Sequence, residues 1–174
     1  MNKIFIASML FIVFGSGFLS AQKTEDNQKE NVFVLKSDKP KFSIEFPAKY
    51  KLEESKTDNG LKTEFYRCEK NGNIFMFKYT EHENPAVSPD NKTYTEASLQ
   101  SFIDGIKAEL ISKYYYKIKK QKGLEAFLKI PDKNLHVFYR ITIVKHVQYQ
   151  IIVITKSDKK TDDISSFFNS FDVR

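Results

Sequence analysis

Cysteine, glycine, proline and tryptophan are all scarce in this chain. Its 174 residues include one cysteine, five prolines, six glycines and no tryptophan. A single cysteine excludes an internal disulfide, and the low glycine and proline content excludes a collagen-like or low-complexity chain. With 41% hydrophobic and 14% aromatic residues, the composition predicts one globular domain whose core needs no metal or disulfide.

Sequence motifs that mark common enzyme classes are also absent. The chain has no HExxH zinc helix, Gly-rich phosphate loop, GxSxG nucleophile elbow or Cys-x-x-Cys pair. The adjacent carboxylates Glu53-Glu54 and Asp162-Asp163 are typical of solvated surface charge and of helix starts. We therefore expect a protein that is not an enzyme and that needs no cofactor.

The first 21 residues have the layout of a secretory signal peptide. Lys3 supplies a positive charge, residues 4–14 are almost entirely apolar, and the small residue Ala21 precedes Gln22. The apolar run is shorter than the roughly 20 residues that a membrane-spanning helix requires. Because Gln22 is not a cysteine, we do not expect a lipoprotein. We predict secretion or a periplasmic location after cleavage at Ala21; the alternative, an uncleaved anchor, is favoured by the large residue Leu19.

The mature chain opens with a polar stretch, residues 22–31, which is typical of a flexible leader. Residues 32–174 contain no repeat and no linker, so they predict a single domain. Alternating apolar and polar residues predict strands, and Asn-Gly pairs or Lys122-Gly123 predict the turns between several of them. The predicted strands are 32–35, 41–46, 50–57, 61–69, 74–80, 114–120, 124–130, 137–144 and 149–155.

Two helices are predicted beside these strands. A helical period runs from residue 95 to residue 113, and a short second helix follows Thr161. Strands 137–144 and 149–155 are apolar in both alternating sets of residues, so both faces of that sheet must be covered. The predicted fold class is α+β, an antiparallel β-sheet flanked by helices on both faces. The apolar positions of the helices are Leu99, Phe102, Ile103, Ile106, Leu110 and Ile111 in the first, and Ile164, Phe167 and Phe168 in the second.

Residues 42–50 and 167–171 form two segments that resemble the PsbP-like superfamily. Residues 42–50, FSIEFPAKY, are similar to its F-S-I-x-x-P-x-x-aromatic start, although Tyr50 stands where many members carry tryptophan. The ending, a long hairpin followed by FFNSF at residues 167–171, resembles the closing helix and strand of that group. The resemblance covers about residues 38–173. It implies an antiparallel sheet sandwiched by helices, a role in binding or assembly, and no catalytic residues.

The candidates for a metal site are Glu81, His82 and Glu83, because carboxylate and imidazole groups ligate zinc. Adjacent residues of an extended segment point in opposite directions, so at most two of the three could share an ion. His136 and His146 would lie about 33 Å apart on an extended strand, which is too far to share one. If the first three residues converged, the protein would be a small metal-dependent hydrolase.

The densest basic segment is KYYYKIKKQK at residues 113–122. An extended chain places Tyr115, Lys117 and Lys119 on one face, and with Lys113 they are candidates for weak binding to an anionic surface. The formal charge is +6, but only three basic residues are arginine, so we expect no specific nucleic-acid partner. The alternative is a solvated strand whose lysines prevent edge pairing.

These patterns lead to one principal hypothesis and two alternatives. The principal hypothesis is an exported, non-catalytic protein that binds or assists an unknown protein or component of the cell envelope through the loop at residues 82–92. Loops on a rigid sheet commonly carry such contacts. The alternatives are the metal-dependent hydrolase and the anionic-surface binder.

Intact-mass analysis of the exported protein should give the mass of residues 22–174. We expect this because the apolar run is too short to remain as a spanning helix. A mass that still includes residues 1–21 would instead show an uncleaved anchor.

Overall fold

The structure, a computed structural model, describes residues 32–82, 91–118 and 121–173. The predicted signal peptide, the leader 22–31, most of the loop 82–92 and Lys119 lie outside these ranges. The described elements are, in chain order, β1 (Phe33–Asp38), β2 (Lys41–Phe46), β3 (Lys51–Asp58), β4 (Leu61–Lys70), β5 (Asn73–His82), α1 (Asn91–Ile106), β6 (Glu109–Ile118), β7 (Gln121–Ile130), a 3-10 turn (Pro131–Lys133), β8 (Leu135–Val144), β9 (Val147–Thr155), α2 (Asp162–Asn169) and β10 (Asp172–Val173).

The strands form two antiparallel sheets. The smaller sheet has the order β1-β2-β10, and the larger has the order β3-β4-β5-β9-β8-β7-β6. Every neighbouring pair runs antiparallel. The predicted α+β class with antiparallel sheets is therefore confirmed. Strands β3 and β6 form the two edges of the seven-stranded sheet.

Two Asn-Gly turns set the register of β3, β4 and β5. Asn59 and Gly60 have φ angles of 51° and 74°, and Asn71 and Gly72 have 53° and 74°. Two successive positive φ angles match the right-handed twist of a two-residue hairpin, and asparagine and glycine tolerate them best. The meander predicted from these pairs is confirmed.

The core consists of two separate clusters, and alternate residues of β9 belong to different ones. Tyr149, Ile151 and Val153 join the first, which we call the α2 cluster, and Ile152 and Ile154 join the second, the α1 cluster. Both faces of β9 are therefore buried, as its two apolar sets predict. The α2 cluster also contains Leu35, Phe42, Ile44, Phe46, Ile164, Phe167 and Phe168, and the α1 cluster contains Leu99 with Phe102, Ile103 and Ile106 packed against it.

Helix α1 ends seven residues earlier than the predicted helix 95–113. Lys107 has a φ of 54°, and the Ala108 N–H donates to the Ile103 carbonyl at 3.0 Å. This arrangement is a Schellman ending, where glycine is the usual residue. A lysine in this position gives no sequence signal, so the apolar period continues past the true end of the helix. Leu110 and Ile111 consequently lie in β6 and are 43% and 51% exposed, not on an apolar helix face.

The predicted turn at Lys122-Gly123 is also wrong, because Gly123 lies inside β7. It pairs with Tyr116 of β6 and Thr142 of β8. A Cβ at this position would collide with the Ile141 carbonyl oxygen and the Tyr116 side chain. Glycine is thus required here for close packing within the sheet, not for a turn.

The two glycines Gly105 and Gly123 should respond oppositely to alanine. Gly105→Ala should raise the free energy of unfolding by about 1 kcal/mol, because the glycine is inside a helix and an added Cβ meets nothing within 4 Å. Gly123→Ala should lower it by about 1–3 kcal/mol through overpacking. Urea unfolding of both variants measures this, and shifts of the same sign would contradict it.

Candidate functional site

Strand β6 forms an exposed edge with an unusual share of apolar surface. It pairs with β7 and is the last strand of the seven-stranded sheet. Among the described residues, eight large hydrophobic side chains are exposed, and four of them lie on β6: Leu110, Ile111, Tyr114 and Tyr115. A long edge strand with exposed apolar side chains is typical of a protein interaction site.

One face of β6 carries Lys113, Tyr115 and Lys117. Their cross-strand partners on β7 are Ala126, Leu124 and Lys122. Since Leu124 and Ala126 belong to the α1 cluster, this face of the edge lies on the same side of the sheet as α1. The predicted common face of Tyr115 and Lys117 is present, whereas Lys119 lies outside the described residues.

Helix α1 contributes a carboxylate and a further lysine to this face. Glu96 accepts hydrogen bonds from the Lys113 Nζ at 3.1 Å and from the Tyr115 hydroxyl. The Lys92 Nζ lies 5.7 Å from the centre of the Tyr115 ring, within reach of a cation–π attraction. The hydrogen bond from Tyr115, followed by that from Lys113, lowers the pKa of Glu96, so Glu96 is charged at neutral pH.

The charges on this face do not balance. Lys117 and Lys122 are exposed and stand directly opposite each other, where like charges repel. Among the described residues, this face carries four lysines, Lys92, Lys113, Lys117 and Lys122, and one carboxylate, that of Glu96, which is a surplus of three positive charges. We call this surface the basic edge patch; it consists of Lys92, Glu96, Lys113, Tyr115, Lys117 and Lys122.

The opposite face of β6 covers a buried ion pair that the sequence analysis missed. Glu125 and Arg140 are only 5% and 6% exposed. Arg140 donates to the Glu125 Oε1 from Nε at 2.8 Å and from Nη2 at 2.5 Å, and from Nη1 to the Phe168 carbonyl at 2.6 Å. Tyr114 and Lys160 donate to the other oxygen, Oε2, with Lys160 at 2.9 Å. Both carboxylate oxygens are therefore satisfied.

This pair links three elements and supports the edge from behind. Glu125 and Arg140 are cross-strand neighbours on β7 and β8, and Phe168 is on α2. The Arg140 guanidinium lies 5.1 Å from the Tyr116 ring centre and 5.0 Å from that of Phe168. The sequence does contain a signal for this pair, the charged Arg140 within the otherwise largely apolar strand β8. A buried charge requires a partner, so such a residue indicates an ion pair.

Among the described residues, no cluster of possible metal ligands is present around the candidates Glu81, His82 and Glu83. Glu81 Oε1 lies 3.3 Å from His146 Nε2 in the β8–β9 turn. For His82 the structure describes only the backbone, as the last residue of β5, and Glu83 lies outside the described residues. His136 stacks on Phe127 with the ring centres 5.4 Å apart. Within residues 32–82, 91–118 and 121–173, no three His, Cys, Asp or Glu side chains gather to hold an ion.

The predicted binding loop 82–92 is shorter than expected. His82 closes β5, and Asn91 and Lys92 already belong to α1; the remaining residues, 83–90, lie outside the described ranges. The chain re-enters the described structure at α1, where Lys92 contacts Tyr115. Lys92, the last residue of the predicted loop, therefore lies beside Tyr115 on the basic edge patch.

Two further features offer little chemistry. Cys68 is buried in the α2 cluster, and burial raises the pKa of its thiol to about 11, so it remains protonated at neutral pH. A groove of about 220 Å³ lies beside α2, near Phe46, Lys70 and Asp163. This volume is below the roughly 300–1,000 Å³ usual for small-molecule sites.

No described helix has the length and apolar character needed to cross a membrane.

Comparisons with known proteins support the fold. No family model matches the chain, and the search of curated proteins finds no similar sequence. The solution structure of cyanobacterial PsbP (CyanoP) from Synechocystis sp. PCC 6803 is similar, with a TM-score of 0.60 and 11% identity over 88% of this chain and 98% of that one. A crystal structure from Bacteroides thetaiotaomicron VPI-5482 gives a TM-score of 0.38 at 11% identity, covering 76% and 45% of the chains. That value is too low to carry an argument.

The fold is therefore PsbP-like, which confirms at the level of structure the resemblance found in the sequence. At 11% identity the likeness establishes the fold alone. It transfers no partner and no residue role to this chain.

The ion pair predicts a specific loss of stability in acid. Burial raises the pKa of Glu125, but hydrogen bonds from Tyr114 and Lys160 and the charge of Arg140 outweigh it and leave the pKa below its ordinary value. Because the folded pKa is lower than the unfolded one, the stability that Glu125 contributes is present above the unfolded pKa. It disappears as the pH falls through the folded pKa.

Glu125→Gln should lower the free energy of unfolding at pH 7 by about 3 kcal/mol, because Arg140 keeps a buried charge without its partner. The difference from the wild type should shrink as the pH falls below about 4. Urea unfolding at a series of pH values measures both effects. Glu109→Gln, at an exposed position of β6, is the matched control, and an equal effect at both positions would contradict the prediction.

Proposed function

We propose that this chain is an exported, non-catalytic binding protein of the cell envelope, released from its signal peptide at Ala21. We further propose that it contacts an anionic partner through the basic edge patch. A PsbP-like fold supports a binding or assembly role in general. The scaffold we propose is the predicted sandwich, with α1 over one face of the large sheet and α2 with the small sheet over the other.

The observation that carries the proposal is the charge imbalance of the basic edge patch. Lys113 and Lys117 of β6, Lys122 of β7 and Lys92 of α1 lie on one side of the sheet edge, and Glu96 is the carboxylate that the described part of this patch contains. Bringing like charges together costs free energy. An anionic group placed among them would relieve this repulsion, so the free protein is already arranged for such a ligand.

The residue types determine the kind of binding. Lysine presents a flexible point charge, whereas arginine holds carboxylates and phosphates in a fixed two-point geometry. The patch has no arginine, and Lys113 and Glu96 are 41% and 39% exposed. Exposed charges are screened within about 10 Å at 0.1 M salt. The binding should therefore be of moderate strength and should weaken steeply as salt rises.

The patch is held by regular secondary structure, not by a loop. Lys113, Tyr115 and Lys117 extend from β6, Lys122 from β7, and Lys92 and Glu96 from α1. The strand is supported from its other face by Tyr114 and Tyr116, which contact Glu125 and Arg140. Such a support fixes the spacing of the lysines and reduces the entropy lost on binding.

Retention on immobilised heparin tests the proposal. The wild type should be retained at low salt and elute as salt rises. The double variant Lys117→Glu/Lys122→Glu should elute at clearly lower salt, because it removes the like-charged pair of lysines that face each other on β6 and β7. Glu96→Gln should elute later than the wild type, because it removes the carboxylate that offsets the lysines.

The matched control is Lys49→Glu/Lys51→Glu, which makes the same change in net charge at and beside the opposite edge strand, β3. Both control lysines are exposed. If the two double variants elute at the same salt concentration, net charge alone accounts for retention and the patch is not the site. Retention that does not change with salt would also contradict the proposal.

A further inference from the structure

The backbone of β6 adds a second kind of binding capacity to the basic edge patch. From Ser112 to Ile118 the strand pairs with β7 residue by residue, after a bulge between Leu110 and Ser112. The seven residues 112–118 span roughly 23 Å at about 3.3 Å per residue. Among the described strands none pairs with β6 on the side away from β7, and there the alternate N–H and C=O groups of an edge strand can pair with another strand.

We propose that β6 accepts an extended, acidic segment of a partner protein as an additional strand of the seven-stranded sheet. This inference rests on the proposed function and names the class of partner that the basic edge patch binds. In this mode of recognition, main-chain hydrogen bonds supply affinity and the alternating side chains supply specificity.

The two edges of the sheet differ in a way that favours β6 for this role. Strand β3 exposes one large hydrophobic side chain, Leu52, and mixes acids with lysines along KLEESKTD, a pattern that discourages pairing. Strand β6 exposes four such side chains. Its Tyr114 and Tyr115 project on opposite faces, so an added strand would find an aromatic neighbour on each side.

The charge of the patch selects the occupant. In a β6–β6 pair between two copies, lysines of one patch would approach lysines of the other, which is destabilising. An incoming strand with Asp or Glu at every second residue instead aligns its carboxylates with Lys113 and Lys117 of β6, while Lys122 lies one strand further away on β7. Its remaining side chains then lie on the face of Tyr114. The best ligand is therefore a segment in which acidic and apolar residues alternate.

The probe for this inference is a capped nine-residue peptide of alternating Glu and Val with a fluorescent label, titrated with the full mature chain. The control peptide, called the methylated twin, has the same sequence with every backbone amide N-methylated. This change keeps the charge of the peptide but removes its N–H hydrogen-bond donors and so blocks strand pairing. Fluorescence anisotropy should show binding of the first peptide and at least tenfold weaker binding of the twin. A Lys/Val peptide should not bind.

Protein variants and hydrogen exchange locate the contact. Lys117→Glu/Lys122→Glu should weaken binding of the Glu/Val peptide at least tenfold, whereas Lys49→Glu/Lys51→Glu should leave it unchanged. Hydrogen exchange followed by NMR should show new protection at alternate amides of β6 and none in β3. All of these side chains are exposed, and thermal melts of both double variants confirm that each remains folded.

Several outcomes would overturn the inference while leaving the proposed function intact. Equal binding of the peptide and its methylated twin would show that charge acts alone. Failure of the Glu/Val peptide to bind, with heparin retention or binding to phosphatidylglycerol vesicles preserved, would show a different anionic partner. Concentration-dependent dimers that protect the β6 amides without peptide would show that a second copy is the occupant. Heparin retention that is unaffected by the patch variants would overturn the proposed function itself.

Discussion

Strands β8 and β9 are largely apolar and are buried on both faces, and the rest of the structure depends on this constraint. A sheet of this kind loses stability unless both faces are removed from water, because buried apolar area is the main source of folding free energy. The two clusters meet that requirement with different partners: Leu99 and its helix in one, and the small sheet with Phe167 and Phe168 in the other. Strands β3 and β6 are the two edge strands of this large sheet.

The buried ion pair of Glu125 and Arg140 connects this core to the candidate site. It lies between β7 and β8, ties them to α2 through the Phe168 carbonyl, and is covered by Tyr114 and Tyr116 of the edge strand. A buried pair of this kind contributes little net stability, but it restricts the arrangements that its neighbours can adopt. The edge strand that carries the surplus lysines is held in one position as a result.

Local patterns predicted most of the fold, but not the end of α1 or the place of Gly123. The Asn-Gly pairs identified the first hairpins because only a few residue types adopt positive φ easily. Lys107 adopts a positive φ without being such a type, so the apolar period predicts a longer helix than the structure has. Gly123 resembles a turn residue in the sequence, but its role is to let the β6 and β8 neighbours approach. At Gly123 the close approach of the neighbouring strands requires glycine, whereas the end of α1 at Lys107 is held by hydrogen bonds within the helix end itself.

For the candidate site, strand alternation alone placed Tyr115 and Lys117 on a common face, because side chains alternate with a period of two whatever surrounds them. The amino-acid order also determined the fold class, through two-faced apolar strands. Only the tertiary structure decided that this strand is an edge, that Lys92 and Glu96 of α1 join it, and that Lys122 stands opposite Lys117. The reason is that these groups are separated along the chain and meet only through the order of strands, which is a property of the whole sheet.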